Sequence, residues 1–359
     1  MSMTLNIYNF DLRCSELPYD TTMKAVFLFL LLPFFCLAQD MHFSQGTNFS
    51  LLINPAFQGM YDGKTRANVS IRNQNIAVPN TAFIGVYNTI GASIETKIFE
   101  ELSDQNSWSI GVMALQDYAG TGTLATTQAV VSTSYSLSLD RYGRSFLNVG
   151  GQLGIVSRRI FSGDLLFESQ VREFEFDPRL PNLEPYLDGG ARVTPTLNLG
   201  VAYQQSLSEA SILLLGFSLY NVTKPDDFFL TNSTSNIYSR MNLSGGVMFE
   251  LDESSKLYPS VIYMKQGPFS QINAGISYTK ELNDDLSLLG GLRTRIEDAY
   301  IIAFGVKYQK WTTTMSYDIT TSSLNNANKS FGAIELNVNY IIGEKKSGYG
   351  KDKMYCPSY

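Results

Sequence analysis

The stretch Ala129-Val-Val-Ser-Thr-Ser-Tyr-Ser-Leu-Ser-Leu139 places Val131, Thr133, Tyr135, Leu137 and Leu139 on one face and Ser132, Ser134, Ser136 and Ser138 on the other. After the short turn Asp140-Arg-Tyr-Gly-Arg144 the rule resumes: Leu147, Val149, Gly151, Leu153 and Ile155 oppose Asn148, Gly150, Gln152 and Gly154. A period of two identifies a β-strand with one wet and one apolar face.

The same alternation spreads in both directions. Ala67, Val69 and Ile71 alternate with Asn68, Ser70, Arg72 and Gln74, and Trp108, Ile110, Val112 and Ala114 share a face. Further on, Leu197, Val201 and Tyr203 oppose Asn198, Gly200 and Gln204, while Leu243, Val247 and Phe249 oppose Asn242, Ser244 and Glu250. The last three segments set Ile302, Phe304, Val306 and Tyr308 against Gly305 and Lys307, Trp311, Met315, Tyr317 and Ile319 against Thr312, Thr314, Ser316 and Asp318, and Ile334, Leu336, Val338, Tyr340 and Ile342 against Glu335, Asn337 and Asn339.

Strands are predicted at 65–74, 82–98, 107–118, 124–139, 145–158, 193–205, 209–221, 238–251, 255–265, 269–281, 284–296, 299–309, 311–319 and 330–342, fourteen in all. An even count of segments long enough to cross hydrocarbon when tilted (about 9–11 residues) is that of an all-β, closed antiparallel transmembrane barrel. Closure is required because lipid offers no partner to an unpaired backbone edge. With a periplasmic amino terminus, short turns should follow even strands, as at 140–144, 252–254, 282–283 and 310, while 99–106 is longer than this pattern asks. Long connections should follow odd strands, and 159–192, 222–237 and 320–329 do so.

Upstream, Met23-Lys24, the apolar run Ala25 to Phe35 and Cys36-Leu-Ala38 have the form of a secretory signal peptide cleaved after Ala38, with Met23 as the start and residues 1–22 without a role. The run is too short to span a bilayer, which takes about 20 residues. Phe34 and Phe35 stand where a lipoprotein signal at Cys36 wants small residues. The mature regions are then 39–64, a candidate plug; 65–342, the barrel; and 343–359, a polar periplasmic tail. In the plug, Phe43, Phe49, Leu51, Leu52 and Phe57 supply apolar contact and Asn54-Pro55 a fixed turn.

Hydrophobic residues make up 44% of the chain and charged residues 17%, with mean hydropathy −0.06, as expected when half of every strand is apolar. The net charge is −6, which argues against a nucleic-acid partner. Of Cys14, Cys36 and Cys356 only the last survives processing, so neither an internal disulfide nor a cysteine metal site is available.

Six motifs stand in order along the mature chain: Gln39-Asp40-Met-His42-Phe43-Ser44-Gln45, Asn54-Pro55-Ala-Phe57-Gln-Gly59, Arg72-Asn-Gln74, Asp117-Tyr-Ala-Gly-Thr-Gly122, Ser157-Arg-Arg159 and Ser316-Tyr-Asp318, with Leu165-Leu-Phe-Glu-Ser-Gln170 in the long loop. Together they resemble the PorP/SprF family of type IX secretion outer-membrane proteins. Met41, where the family favours a small residue or proline, and the basic tail depart from the pattern; the tail leaves open whether Tyr340–Ile342 or Tyr359 is the barrel-assembly signal. The resemblance implies a non-enzymatic outer-membrane protein, linked to gliding motility and to secretion or surface attachment of a large protein by its C-terminal sorting domain. Its implied partners are outer-membrane lipid, that secreted surface protein and other secretion components, with no cofactor.

Chemistry-bearing motifs are scarce. The sole histidine, His42, could complete a Ser-His-acid triad only if the amino-terminal segment entered the barrel, and one histidine with scattered carboxylates falls short of the three or four ligands zinc wants. Ala119-Gly-Thr-Gly122 leads into a strand rather than the helix a phosphate cradle needs. On the polar face, Arg72, Arg293, Arg295, Lys307, Asp318 and Glu335 either pair across the lumen or line a solute path. The loop 159–192, with Phe167, Phe174, Phe176 and Asp177, is either a lid over the barrel mouth or a partner surface; aromatic anchors with a charged rim suit recognition. Three functions follow: docking of a secreted protein, transport of small or hydrophobic solutes, and, weakened by the histidine count, a barrel enzyme.

Overall fold

A computed structural model describes residues 41–343 apart from 42, 75–86, 101–105, 120–123, 161–166, 173–174, 178, 182, 184–191, 225–235 and 324. The expected signal peptide, Gln39, Asp40, His42, Phe174 and the tail beyond Gly343 lie outside the described residues.

Fourteen antiparallel strands close on themselves. They are β1 (Thr65–Gln74), β2 (Tyr87–Glu100), β3 (Ser107–Ala119), β4 (Leu124–Ser138), β5 (Ser145–Ile160), β6 (Arg192–Ser208) and β7 (Ser211–Tyr220). Then follow β8 (Arg240–Asp252), β9 (Ser255–Gln266), β10 (Phe269–Glu281), β11 (Leu286–Arg295), β12 (Ala299–Tyr308), β13 (Trp311–Thr320) and β14 (Phe331–Ile342). Each pairs with the next, and β14 returns to β1 from Thr65↔Ile342 to Gln74↔Ala333, so no edge is left open.

The expected segments match these strands closely. Residues 82–86 of the second expected segment lie outside the described residues; within them the largest difference is at β6, which runs past the expected end at 205 to Ser208, because Ser206↔Ile212 and Ser208↔Ser211 stay paired across a bulge after the side-chain alternation has ended. Backbone pairing does not need an apolar face, so it outlasts the pattern. The long loop also has structure the sequence did not announce: a helical turn Glu168–Gln170 and a hairpin of Val171–Arg172 with Glu175–Phe176. Gln170 ties them, its side chain donating to the Leu180 carbonyl at 2.9 Å and its own carbonyl accepting the Asp177 amide at 2.9 Å.

The faces sort as the alternation requires. On β3, Ser107, Ser109 and Met113 are buried while Trp108, Ile110 and Val112 are exposed; on β13, Thr312, Thr314, Ser316 and Asp318 are buried while Trp311 and Met315 are exposed. Leaving a Val, Leu or Ile side chain in water forgoes about 1.5–3 kcal/mol each, so an exterior of this kind belongs against acyl chains. Aromatic rings mark both ends of the apolar band, with Trp108, Tyr308 and Trp311 near the short turns and Tyr87, Tyr118 and Tyr300 near the longer loops. No helix among the described residues is long and apolar enough to cross a membrane.

Candidate functional site

The lumen is occupied by the chain's own amino-terminal segment. From Phe43 to Tyr61 the described side chains are buried, folded as a 3-10 turn (Gly46–Asn48), a helical turn (Ser50–Ile53) and a second 3-10 turn (Pro55–Phe57). The last begins where it does because the Asn54 side chain accepts the Ala56 amide at 2.9 Å and Pro55 fills the first position, where its missing N–H costs nothing.

At one end, Ser44 sits in a buried polar knot. Its amide donates to Glu335 Oε2 at 2.5 Å and its hydroxyl to Asp318 Oδ2 at 2.6 Å; the Gln45 amide reaches Glu335 Oε1 at 3.2 Å. Asp318 Oδ2 also receives Arg72 Nη2 at 3.2 Å and Arg295 Nη2 at 2.9 Å. Isolated charges in such a place would cost several kcal/mol each, and pairing with opposite charges is what makes them tolerable.

Along the middle, wall side chains bind main chain. Gln152 Nε2 and the Tyr220 hydroxyl donate to the Leu51 carbonyl at 3.0 and 2.7 Å, and Arg240 Nη2 donates to the Leu52 carbonyl at 2.9 Å. Ser218 and Asn242 share the Ile53 carbonyl at 2.7 and 2.8 Å, and Ser134 Oγ donates to the Gln58 carbonyl at 2.8 Å. A non-sheet backbone inside a barrel needs partners of this kind for its carbonyls. Two apolar clusters complete the fit: Phe43, Phe49, Leu51 and Leu52 on Met113, Leu115 and Val130, and Ile53, Ala56, Phe57 and Met60 on Ala202, Leu214 and Ile262. Paired glycines on β5 and β6 open the wall for the Asn54-Pro55 turn: a Cβ on Gly150 would lie 2.5 Å from the Pro55 backbone, and one on Gly200 2.0 Å from Asn54 Oδ1.

At the other end Glu95 holds the exit of the segment. It pairs with Arg66 at 2.7 Å and accepts the Gly59 amide at 3.0 Å, while Arg66 lies 4.7 Å from the Tyr61 ring centre and Lys97 Nζ donates to the Tyr61 carbonyl at 2.8 Å.

Thus Phe43, Ser44, Gln45, Asn54, Pro55, Phe57 and Gly59 are brought together in the lumen with Arg72, Asp318 and Glu335. Lys307 differs: it keeps the inward parity of β12 but lies exposed one residue from the strand end. Inward parity marks the lumen only where the wall surrounds it. In the long loop Phe176 is 38% exposed and Phe167 and Asp177 are half-buried. Sequence reasoning passed over Glu95 and Arg66; both lie on inward positions of their strands, and that parity could have found them. Among the described residues no three His, Cys, Asp or Glu side chains group as a metal site would require.

A closed antiparallel barrel with an apolar, aromatic-belted exterior and a polar interior defines an integral outer-membrane protein. The family described as "Type IX secretion system membrane protein PorP/SprF" matches residues 36–340, and the chain belongs to it. No curated protein sequence matches. Among solved structures, the Pseudomonas putida toluene transporter TodX is similar at TM-score 0.51 and 10% identity over 82% of this chain and 93% of that one. The TodX deltaS2S3 mutant monoaromatic hydrocarbon channel is similar at TM-score 0.50 and 10% identity over 83% and 94%. At such identity the likeness is one of fold.

Proposed function

We propose that this barrel is a non-enzymatic component of type IX protein secretion that docks or anchors a secreted surface protein, through that protein's C-terminal sorting domain, on its extracellular loops. The observation that carries the reading is the filled lumen. A segment hydrogen-bonded to the wall from Ser44 to Tyr61 acts as a plug, and contact with a large protein then falls to the loop end, where Val171 (53%), Phe176 (38%) and Tyr238 (61%) are exposed. Residues 23–38 serve as the secretory signal, the outward apolar face meets lipid, and other secretion components bind alongside.

Crosslinking and pull-down from intact cells tests this. The expected result is capture of a large protein bearing a C-terminal sorting domain, reduced by Phe176→Ser with the barrel still in the membrane. A second reading, transport of small or hydrophobic solutes, draws on the fold shared with the toluene transporter TodX. It requires the plug to move, and free ion conduction by the purified barrel in a planar bilayer without any captured protein would favour it.

A further inference from the structure

The plug has a direction. At its start the Met41 carbonyl accepts Arg240 Nη1 at 3.4 Å, and Arg240 opens β8 directly after the long connection from β7. Three residues on, Ser44 Oγ accepts Arg72 Nε at 3.0 Å and donates to Asp318; Arg72 and Asp318 each stand two residues from the loop-side end of their strands. The other end of the plug lies at the short turns. Lys97 Nζ holds the Tyr61 carbonyl from the last turnward stretch of β2, and the Lys64 amide donates at 2.9 Å to the carbonyl of Ile342, the last residue of β14. The segment therefore descends the lumen from the long loops to the short turns and joins β1, which climbs back.

Chain length limits where the segment can begin. With the signal removed after Ala38, as proposed above, Gln39 and Asp40 alone precede Met41, and two residues span at most about 7 Å. A strand of 10 residues such as β1, tilted as barrel strands are, carries its far end up by about 25 Å. Two residues cannot return to the short turns. Burial changes at the same place: Met41 is half-buried, whereas Phe43 and Ser44 are enclosed. Tyr238, exposed on the loop side and assigned above to the docking surface, stands two residues before the Arg240 that holds Met41.

We infer that the plug is held amino end outward, so that the processed amino terminus faces the cell exterior and the residues around Met41 form part of the surface met by the secreted protein on the loops. The contact rests on the docking function proposed above; the orientation does not. A docked protein then meets the plug at the end fastened by the Ser44 knot, while Glu95 and Lys97 hold the end it cannot touch.

Labelling of intact cells with a membrane-impermeant maleimide tests the orientation, in full-length protein carrying Cys356→Ser. Met41→Cys should label as Tyr238→Cys does on the loop side, while Tyr142→Cys in the short turn after β4 should label only once the cells are opened. A cysteine in a short Gly-Ser extension between Ala38 and Gln39 repeats the measurement where packing of the plug offers no cover. If that extension labels only in opened cells, as Tyr142→Cys does, the orientation is overturned. For the contact, a photoreactive side chain in place of Met41 should crosslink to the protein captured through Phe176. Capture without that crosslink overturns the contact alone. Labelling from outside in cells where nothing is captured counts against the docking function and leaves the orientation standing.

Discussion

The Ser44 hydroxyl donates to Asp318 across 274 residues of sequence, at 2.6 Å. Asp318 is also the shared acceptor of Arg72 and Arg295, so one carboxylate oxygen ties the amino-terminal segment to β1, β11 and β13. The plug and the wall therefore stand or fall together at this point.

Asp318→Ala leaves two buried guanidinium groups short of their acceptor and should destabilise the barrel by about 3–5 kcal/mol, the cost of breaking a buried pair from one side. Unfolding in urea, followed by the gel mobility shift of the folded barrel, measures it. Arg72→Met combined with Asp318→Leu should recover part of the loss; a double variant as unstable as the sum of the single ones would show that the pair is not coupled.

Gly150→Val should expel the Asn54-Pro55 turn, since the Cβ alone would sit 2.5 Å from the Pro55 backbone. A loss of about 1–3 kcal/mol is expected from such overpacking. Gly290→Ala is the control, because nothing lies within 4 Å of the added Cβ and stability should hardly change. Thermal melts of the two variants side by side decide between a filled and a roomy lumen.

Glu335→Ala removes the acceptor of the Ser44 and Gln45 amides and should loosen one end of the plug while Glu95 still holds the other. Single-channel recording should then show brief openings that the wild type lacks. A silent variant that remains folded would mean that the apolar clusters around Phe49 and Phe57 hold the plug without the knot.

The turn after β4 offers a pH-dependent signal outside the membrane. Asp140 Oδ1 accepts the Arg144 and Tyr142 amides, each at 2.9 Å, and the Arg144 amide foremost holds its carboxyl below the ordinary value of 3.8. The unfolded chain takes up the proton first, so the contribution is present above the ordinary carboxylate pKa and is lost as pH falls through the lower folded value. Amide exchange at Arg144 should be faster in Asp140→Ala than in wild type at neutral pH, and the difference should shrink in strong acid.

Part of the candidate site was legible before any fold was known. Arg72, Asp318 and Glu335 could be assigned to the lumen because each occupies the polar parity of a long alternating segment, and the segment 39–64 could be taken as its filling because a barrel this wide needs one. Lys307 obeys the same parity and yet lies exposed, since parity gives a side and not a height. Arg66 and Glu95 escaped notice because neither belongs to a motif; their meaning lies in the pairing of β1 with β2, which sets Arg66 opposite Glu95. Gln170 organises the long loop through contacts that no periodicity encodes.

What the sequence determined by itself is what neighbours along the chain can express: fourteen alternating segments, the sorting of their faces, and the succession of turns and loops between them. Only the tertiary structure decided which inward residues meet the plug, because that depends on β14 closing against β1 and on the height at which each strand crosses the lumen. Ser44 finds Glu335 through closure of the cylinder. A repeat of two residues carries no information about that distance.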